Sequence, residues 1–212
     1  MVNLRAVKLA PFTAIEANGA FRLEITSGKD YSVTAKMPQS IKSEFQPKVA
    51  DGRLNITIKD EHQTSNSSDI PVVTVRLPTL AGVDLSGQIS AVFDGPLADK
   101  VTLTLTGQAS LSTNALNGQS ISVVMSGQSD LKANTVSGTG FYLVMNGQSS
   151  ASLTTVMATD VSITCTGQSD VKGTSLTCTS GKVSTDGQSS VHFRLSSGAI
   201  RTHNRAQSSI SL

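Results

Sequence analysis

The sequence predicts an all-β protein folded as a parallel β-helix (solenoid) with about 20 residues per coil. The first observation is that the dipeptide Gly-Gln occurs six times at steps of 20 residues. Its members are Gly87, Gln88, Gly107, Gln108, Gly127, Gln128, Gly147, Gln148, Gly167, Gln168, Gly187 and Gln188. The second is that apolar and polar residues alternate before each pair, which indicates strands. The third is that a unit of this length is too short for a pair of helices.

The elements of one coil follow from its columns of equivalent residues. Ile121, Val123 and Met125 precede Gly127 as three alternating apolar residues, and other repeats share this pattern. A small polar residue before Gly-Gln predicts a tight corner, because glycine takes a positive φ without a clash. A second tight corner is expected ten residues after each Gln, where every residue is small. These residues are Ala98, Gly118, Gly138, Ala158, Cys178 and Gly198. Six or seven coils stacked about 4.8 Å apart give a rod about 30 Å long.

Two segments, 1–80 and 81–212, are expected to form one continuous domain. Residues 81–212 carry the regular repeat, whereas residues 1–80 lack the period but alternate like strands around Asn18-Gly19 and Asp51-Gly52. The stretch from Ile15 resembles the first regular coil, which favours an irregular early coil, with a hairpin as the other possibility. An uncovered coil is a bare strand edge, so this region is expected to be a cap. Residues 59–69 are polar throughout and are expected to form a solvent loop.

The C-terminal end carries no recognisable cap. Gln207 follows Gln188 by 19 residues, and Ala206 stands where glycine precedes the other glutamines. The sequence stops inside a coil, at Leu212. Three interpretations remain open for this end: an exposed edge, a surface for self-association, or a truncation.

Composition argues against several classes of function. The formal net charge of +2 encodes no strong attraction to nucleic acid or to an anionic membrane. Aromatic residues make up 4% and Trp is absent, which argues against a platform for stacking bases or sugars. No run of apolar residues is long enough for a membrane-spanning helix. The N-terminus lacks the apolar core of a signal peptide, so the protein is expected to be either cytoplasmic or exported with a leader outside this sequence.

No catalytic residue, metal site or cofactor is predicted. Asp130 and Asp170 occupy the same column two coils apart, a separation of about 9–10 Å. That is too far to share one Ca²⁺ ion, which lies about 2.4 Å from each carboxylate oxygen. Each Asp is instead expected to pair with the lysine two residues later, Lys132 or Lys172, on a solvated face.

The histidines and cysteines form no recognisable motif. His62, His192 and His203 fall in a polar loop, an outward column and the last coil, without the spacing of a catalytic triad or a zinc site. Cys165 takes a core position and Cys178 a small-residue position. Two buried free thiols are therefore expected, with a disulfide within one coil as the alternative.

The Gln column is the most specific feature of the sequence. Stacked amides can donate to the next coil and accept from the previous one, which predicts a ladder that fixes the register of the coils. The alternative is a flat polar stripe that binds a glycan or a surface. If Ser149 and Ser169 face inward, parity places the glutamines outward, although a corner could reset that parity.

These motifs resemble the bacterial family called putative auto-transporter adhesin, head GIN domain, whose function is unknown. The resemblance covers nearly the whole chain: the Phe12 to Gly28 pattern, Asp51-Gly52-Arg-Leu-Asn-Ile, Val75 to Gly87, and the repeated Ser/Thr-Gly-x-Ser-Asp units. It implies a right-handed β-helix and a secreted or lipid-anchored envelope protein. The family usually has Ser or Ala where this chain has Gln, and it brings no catalytic residues.

The expected function is therefore that of a non-enzymatic domain of the bacterial cell envelope or surface, adhesin-like, which binds a surface glycan or a protein. One alternative is a self-assembling β-helical scaffold, cytoplasmic in location, that associates through the C-terminal coil edge. A less favoured alternative is an enzyme acting on polysaccharides, which would need clustered carboxylates in a cleft. Nucleic acid is not an expected partner.

Overall fold

The computed structural model describes residues 1–5, 9–59 and 70–212, and 73% of the chain is strand. A turn of 3-10 helix spans Gln39–Glu44. The strands are β1 Val2–Arg5, β2 Ala14–Ser27, β3 Ser32–Met37, β4 Lys48–Ala50, β5 Arg53–Ile58, β6 Val72–Leu77, β7 Leu80–Asp94, β8 Leu97–Gly107, β9 Ser110–Met125, β10 Asp130–Met145, β11 Ser150–Cys165, β12 Asp170–Thr185, β13 Ser190–His192, β14 Leu195–Asn204 and β15 Ser209–Ser211. The polar loop expected over 59–69 lies outside the described residues, apart from Lys59.

The regular coils confirm the predicted parallel solenoid, which has about seven turns of about 20 residues. Strands β9 to β12 each contain 16 residues and pair in parallel with their neighbours. Residue i of one coil lies beside residue i+20 of the next, as in Leu131 beside Ala151. Equivalent residues therefore form files that run along the axis of the solenoid.

The N-terminal region begins with a coil of its own. Strand β2 pairs in parallel with β7, and Ile15 lies beside Val83 while Gly19 lies beside Gly87. The early coil, and not a hairpin, is therefore what forms around Asn18-Gly19. A hairpin does form at Asp51-Gly52, where both residues take positive φ (51° and 71°) between β4 and β5.

The far side of β2 is covered by two shorter strands. β5 pairs in parallel with the first half of β2, and β6 with its second half. Beyond β6 the sheet continues in antiparallel order through β3 and β1. The antiparallel strands change the direction of the sheet at this end, which distinguishes it from the regular parallel coils.

The interior is filled by apolar side chains from every side of the coil. In β10 the buried positions include Leu131, Ala133, Val136, Phe141 and Leu143. The step of two is broken between Ala133 and Val136 and again between Gly138 and Phe141, where successive inward positions are three residues apart. These breaks mark two bends within the strand, so each coil has three straight segments separated by two bends and the Gly-Gln corner.

The small-residue column has a different cause from the predicted tight corner. The strand runs through Gly118 and Gly138 without a turn, and neither glycine has a positive φ. A Cβ on Gly138 would overlap the carbonyl oxygen of Gly118 in the coil before it. Small residues are required there because adjacent backbones approach closely, just before the second bend.

The last coil is shorter by one residue, as the Gln spacing indicates. Gly181 lies beside Ile200 and Ser190 beside Ser209, both offsets of 19. Ala206 has φ +57°, the left-handed conformation that glycine adopts at the other corners. Most of β14 is exposed.

Candidate functional site

The six repeat glutamines and Gln207 all point outward and are exposed. The Nε2 atom of each amide donates to the Oε1 atom of the next glutamine along the file. These distances are 3.2 Å for Gln108 to Gln128, 2.9 Å for Gln128 to Gln148, 2.9 Å for Gln148 to Gln168, 3.0 Å for Gln168 to Gln188 and 3.4 Å for Gln188 to Gln207. Among the described contacts, Gln88 has no amide bond to this file. Each bonded amide retains a second N–H and a second lone pair for other partners.

The corner behind the amides explains why the glutamines face outward. The residue after each Gln turns inward, and Ser129, Ser149, Ser169 and Ser189 are buried there. The hydroxyl of Ser149 donates to the carbonyl of Asn146 at 3.0 Å, which closes the corner from inside, and later coils repeat this bond. Gln and Ser are consecutive, so the two side chains lie on opposite sides of the wall.

The corner glycines place the coils in contact. Gly147 has φ +83°, and a Cβ there would lie 2.9 Å from the carbonyl oxygen of Gly127. The same oxygen accepts a 2.7 Å hydrogen bond from the backbone N–H of Gln148. This arrangement recurs from coil to coil, so the register of the amide file is fixed by backbone geometry as well as by the amides.

Of the two acidic positions, only one has the expected ion pair. Lys172 lies 2.5 Å from Asp170, whereas the described residues show no ion pair between Asp130 and Lys132. Partial burial opposes ionisation of Asp170, but hydrogen bonds from Lys172 and Ser190 outweigh it and hold the pKa of that carboxyl below its usual value. In the described part of the chain no three His, Cys, Asp or Glu residues are grouped to hold a metal ion.

The remaining candidates are dispersed. His192 is exposed beside the Asp170 carboxylate, and His203 accepts a 2.9 Å hydrogen bond from Arg205 on the last coil. His62 lies outside the described residues. Cys165 and Cys178 are both free and buried. Burial, with a smaller effect of Asp170, raises the pKa of the Cys165 thiol to about 12, so this thiol stays protonated and unreactive at neutral pH.

No sequence pattern singles out Tyr142, yet it is the one exposed aromatic residue of the described chain, with 44% of its surface accessible. It lies on the outer face of β10, beside Ser162 of β11. The sequence does contain one indication: Gly140 replaces the polar residue that other coils have at this position, as in Ser120, Asp160 and Ser180. The change can be recognised only when the neighbouring coils are aligned with it.

Within the described residues, no helix is long and apolar enough to cross a membrane.

Comparisons with known proteins agree with the architecture. A family profile described as putative auto-transporter adhesin, head GIN domain, matches residues 11–194. No curated protein matches the sequence.

Three solved structures have the same fold. A putative adhesin from Bacteroides fragilis has a TM-score of 0.76 and 19% identity, over 99% of this chain and 95% of that one. A putative adhesin from Parabacteroides distasonis has a TM-score of 0.80 and 14% identity, over 100% and 96%. A protein named putative lipid binding protein, also from Parabacteroides distasonis, has a TM-score of 0.77 and 14% identity, over 99% and 95%.

Proposed function

The chain belongs to the putative auto-transporter adhesin, head GIN domain family, and from this premise we propose that it is a non-enzymatic domain of the cell envelope or cell surface that binds a glycan or a protein on its outer faces. The likeness to two putative adhesins supports this proposal, and the likeness to a putative lipid binding protein leaves a lipid as a further ligand class to test.

The observation that carries the proposal is that apolar side chains fill the interior of the solenoid, whereas its outer surface is open to a ligand. Successive coils fill the interior with side chains such as Leu143, Ile163 and Phe141, which are fully buried. A ligand must therefore bind to the outer surface, which is built from straight strands with fixed spacing. A rigid surface loses little conformational entropy on binding, which favours affinity at a modest contact area.

The outer surface offers repeated polar groups at a constant interval. The amides from Gln108 to Gln207 lie in one file, about 4.8 Å apart, and each retains a donor and an acceptor. A polymer with repeated hydroxyl or amide groups could bind along such a file. The same amides also join neighbouring coils through hydrogen bonds.

A glycan array probed with the soluble domain tests the proposed function. We expect saturable binding to at least one glycan class, and loss of that binding when the domain is unfolded. The array should be paired with binding to intact bacterial and host cells, so that a protein ligand is also detected. Absence of saturable binding in both assays would contradict the proposal and leave a purely structural stalk.

Location is a separate expectation. We propose the envelope or the cell surface, and the cytoplasm is the alternative. Protease added to intact cells that express the native gene should digest an exposed domain and leave a cytoplasmic control protein intact. Protection of both proteins until the cells are lysed would refute surface exposure.

A second candidate function is self-assembly, favoured by the last coil. Leu195, Ile200 and Ile210 are only partly buried, whereas the equivalent side chains Leu176 and Val191 of the coil before are buried. A further coil from a second copy would bury this apolar surface and pair the free strand edge. Light scattering should then show a mass that increases with protein concentration, whereas a constant monomer mass would argue against assembly.

A further inference from the structure

One file of outward residues on the third segment of each coil differs from the regular columns. Its members are Tyr142, Ser162, Lys182 and Arg201, which lie beside one another on β10, β11, β12 and β14. Adjacent members are about 4.8 Å apart. Their side chains line a shallow groove across the strands, which we call the Tyr142 groove.

The ring of Tyr142 lies beside Gly140 at one end of this groove. A Cβ added to Gly140 would be 2.7 Å from Cε2 and 2.9 Å from Oη of Tyr142. The ring therefore occupies the space that a side chain at position 140 would fill. Part of the ring is covered by the backbone at Gly140, and 44% of the Tyr142 surface stays accessible to a ligand.

The apolar surface extends from the ring along the same face. Val124 and Val144 are 37% and 38% exposed, and they lie beside each other on adjacent coils. They form a small exposed apolar area next to Tyr142, which can contact the C–H groups of a sugar ring.

Positive charge accumulates at the other end of the groove. Lys182 and Arg201 are exposed, and no carboxylate of the described chain lies within 4 Å of either. One carboxylate, that of Asp160, also lines the groove, where it accepts a hydrogen bond from the hydroxyl of Ser180 and keeps its negative charge. In the neighbouring depression, Lys182 is joined by Arg205 and His203 of the last coil and by the carboxylate of Asp186.

Gly181 and Ala199 line the groove between these two ends. Gly181 occupies an inward column, in which Phe141 is buried. A Cβ there would meet the side chain of Ile200 and the sulfur of Cys178, so the missing side chain leaves the outer wall unchanged. The groove thus joins an aromatic ring to two cations that have no ion pair in the described chain.

We propose that the Tyr142 groove binds an acidic glycan chain, one with carboxylate or sulfate groups, with one sugar stacked on Tyr142 and a charged group at Lys182 and Arg201. This inference rests on the proposed function and names the surface and the ligand class. Charge complementarity selects an acidic glycan over a neutral one. The aromatic ring favours a sugar over a simple inorganic anion, because such an anion would bind to the cations without contacting the ring.

The test uses the whole domain and isothermal titration calorimetry with three probes of equal length: an oligogalacturonate, a sulfated heparin oligosaccharide and a neutral galacto-oligosaccharide. We expect at least one acidic probe to bind and the neutral probe to bind more weakly. Tyr142→Ala and Lys182→Gln should each weaken binding of the acidic probe about tenfold, the loss typical of an anchor residue. Lys132→Gln, on another face, is the matched control and should leave affinity unchanged. Circular dichroism confirms that each variant is folded.

Three results would overturn the inference. The first is that neither acidic probe binds. The second is that Lys182→Gln and Lys132→Gln lower the affinity equally while Tyr142→Ala does not lower it. Binding would then reflect a general attraction between the charges of the protein and the probe. The third is tighter binding to phosphatidylglycerol vesicles, titrated as a fourth probe, than to either acidic oligosaccharide, which would indicate an anionic lipid surface. If the groove variants do not change the affinity for a ligand found on the glycan array, the proposed function stands. Only the assignment of the ligand to the Tyr142 groove then fails.

Discussion

Replacing one corner glycine with alanine separates two reasons for the Gly column. Gly147 and Gly52 both have positive φ, +83° and +71°. A Cβ at Gly147 would lie 2.9 Å from the carbonyl oxygen and 3.2 Å from the nitrogen of Gly127, whereas no described atom lies within 4 Å of a Cβ at Gly52. Gly52→Ala therefore reports backbone strain alone, and Gly147→Ala reports strain together with the contact between coils.

The expected magnitudes follow from these distances. The left-handed conformation costs an alanine about 1–2 kcal/mol, and a smaller unfolded-state entropy returns about 0.4–1 kcal/mol. Gly52→Ala should thus lower the free energy of unfolding by about 1 kcal/mol. Gly147→Ala must also push apart two backbones, an overpacking cost of about 1–3 kcal/mol, so its total should be about 2–4 kcal/mol.

Urea unfolding followed by far-ultraviolet circular dichroism measures both variants against the parent chain. Equal slopes of unfolding free energy against urea would show that the same unit unfolds in each case. If Gly147→Ala and Gly52→Ala were to differ by less than about 0.5 kcal/mol, within the usual scatter of surface substitutions, close contact between coils would not be a reason for the repeated glycine.

Four further changes have defined outcomes. Gln148→Ala removes two amide bonds of the file and should lower the unfolding free energy by about 1 kcal/mol, whereas Gln88→Ala removes none and should change it little; equal effects would contradict a structural ladder. Ala206→Gly should raise thermal stability, because it relieves a positive φ, and a lower melting temperature would show that the corner is not strained. Asp170→Asn should lower stability at neutral pH and flatten the acid loss below about pH 4, because the folded pKa is depressed and the paired carboxylate contributes only while ionised; an unchanged pH profile would refute this. Cys165 should resist a thiol reagent in the folded protein and react after unfolding, and rapid reaction in the native state would contradict its burial.

The regular coils could be predicted because the sequence pattern that specifies them is local and recurs in each coil. Val136, Phe141 and Leu143 face inward in one coil, and their equivalents do so in the next, so each column supports the same interpretation. The positions of the two bends within each coil are harder to predict from the sequence. Close approach of Gly138 to Gly118 produces the same small-residue column that a turn would, and composition does not separate the two causes.

The N-terminal region was predictable only in outline. Alternation around Ile15 and Val75 indicates strands, but it does not show which strand lies beside which. The structure pairs β2 with β7, 68 residues along the chain at Ile15 and Val83, and reverses the direction of β3. Such non-local pairing depends on burial of whole faces, and no local turn signal encodes it.

The same contrast between regular and irregular columns bears on the two interpretations of the glutamines. A residue type that recurs at the same position of every coil serves the structure that all coils share. The Gln file recurs in this way from Gln108 to Gln207, with its amide bonds. The file from Tyr142 to Arg201 does not repeat one residue type, so the needs of a regular coil do not account for it. If Gln148→Ala weakens the fold but not ligand binding, and Tyr142→Ala does the reverse, the amides serve the solenoid and the groove serves the ligand. If Gln148→Ala abolishes binding at unchanged stability, the amide stripe is the ligand site instead.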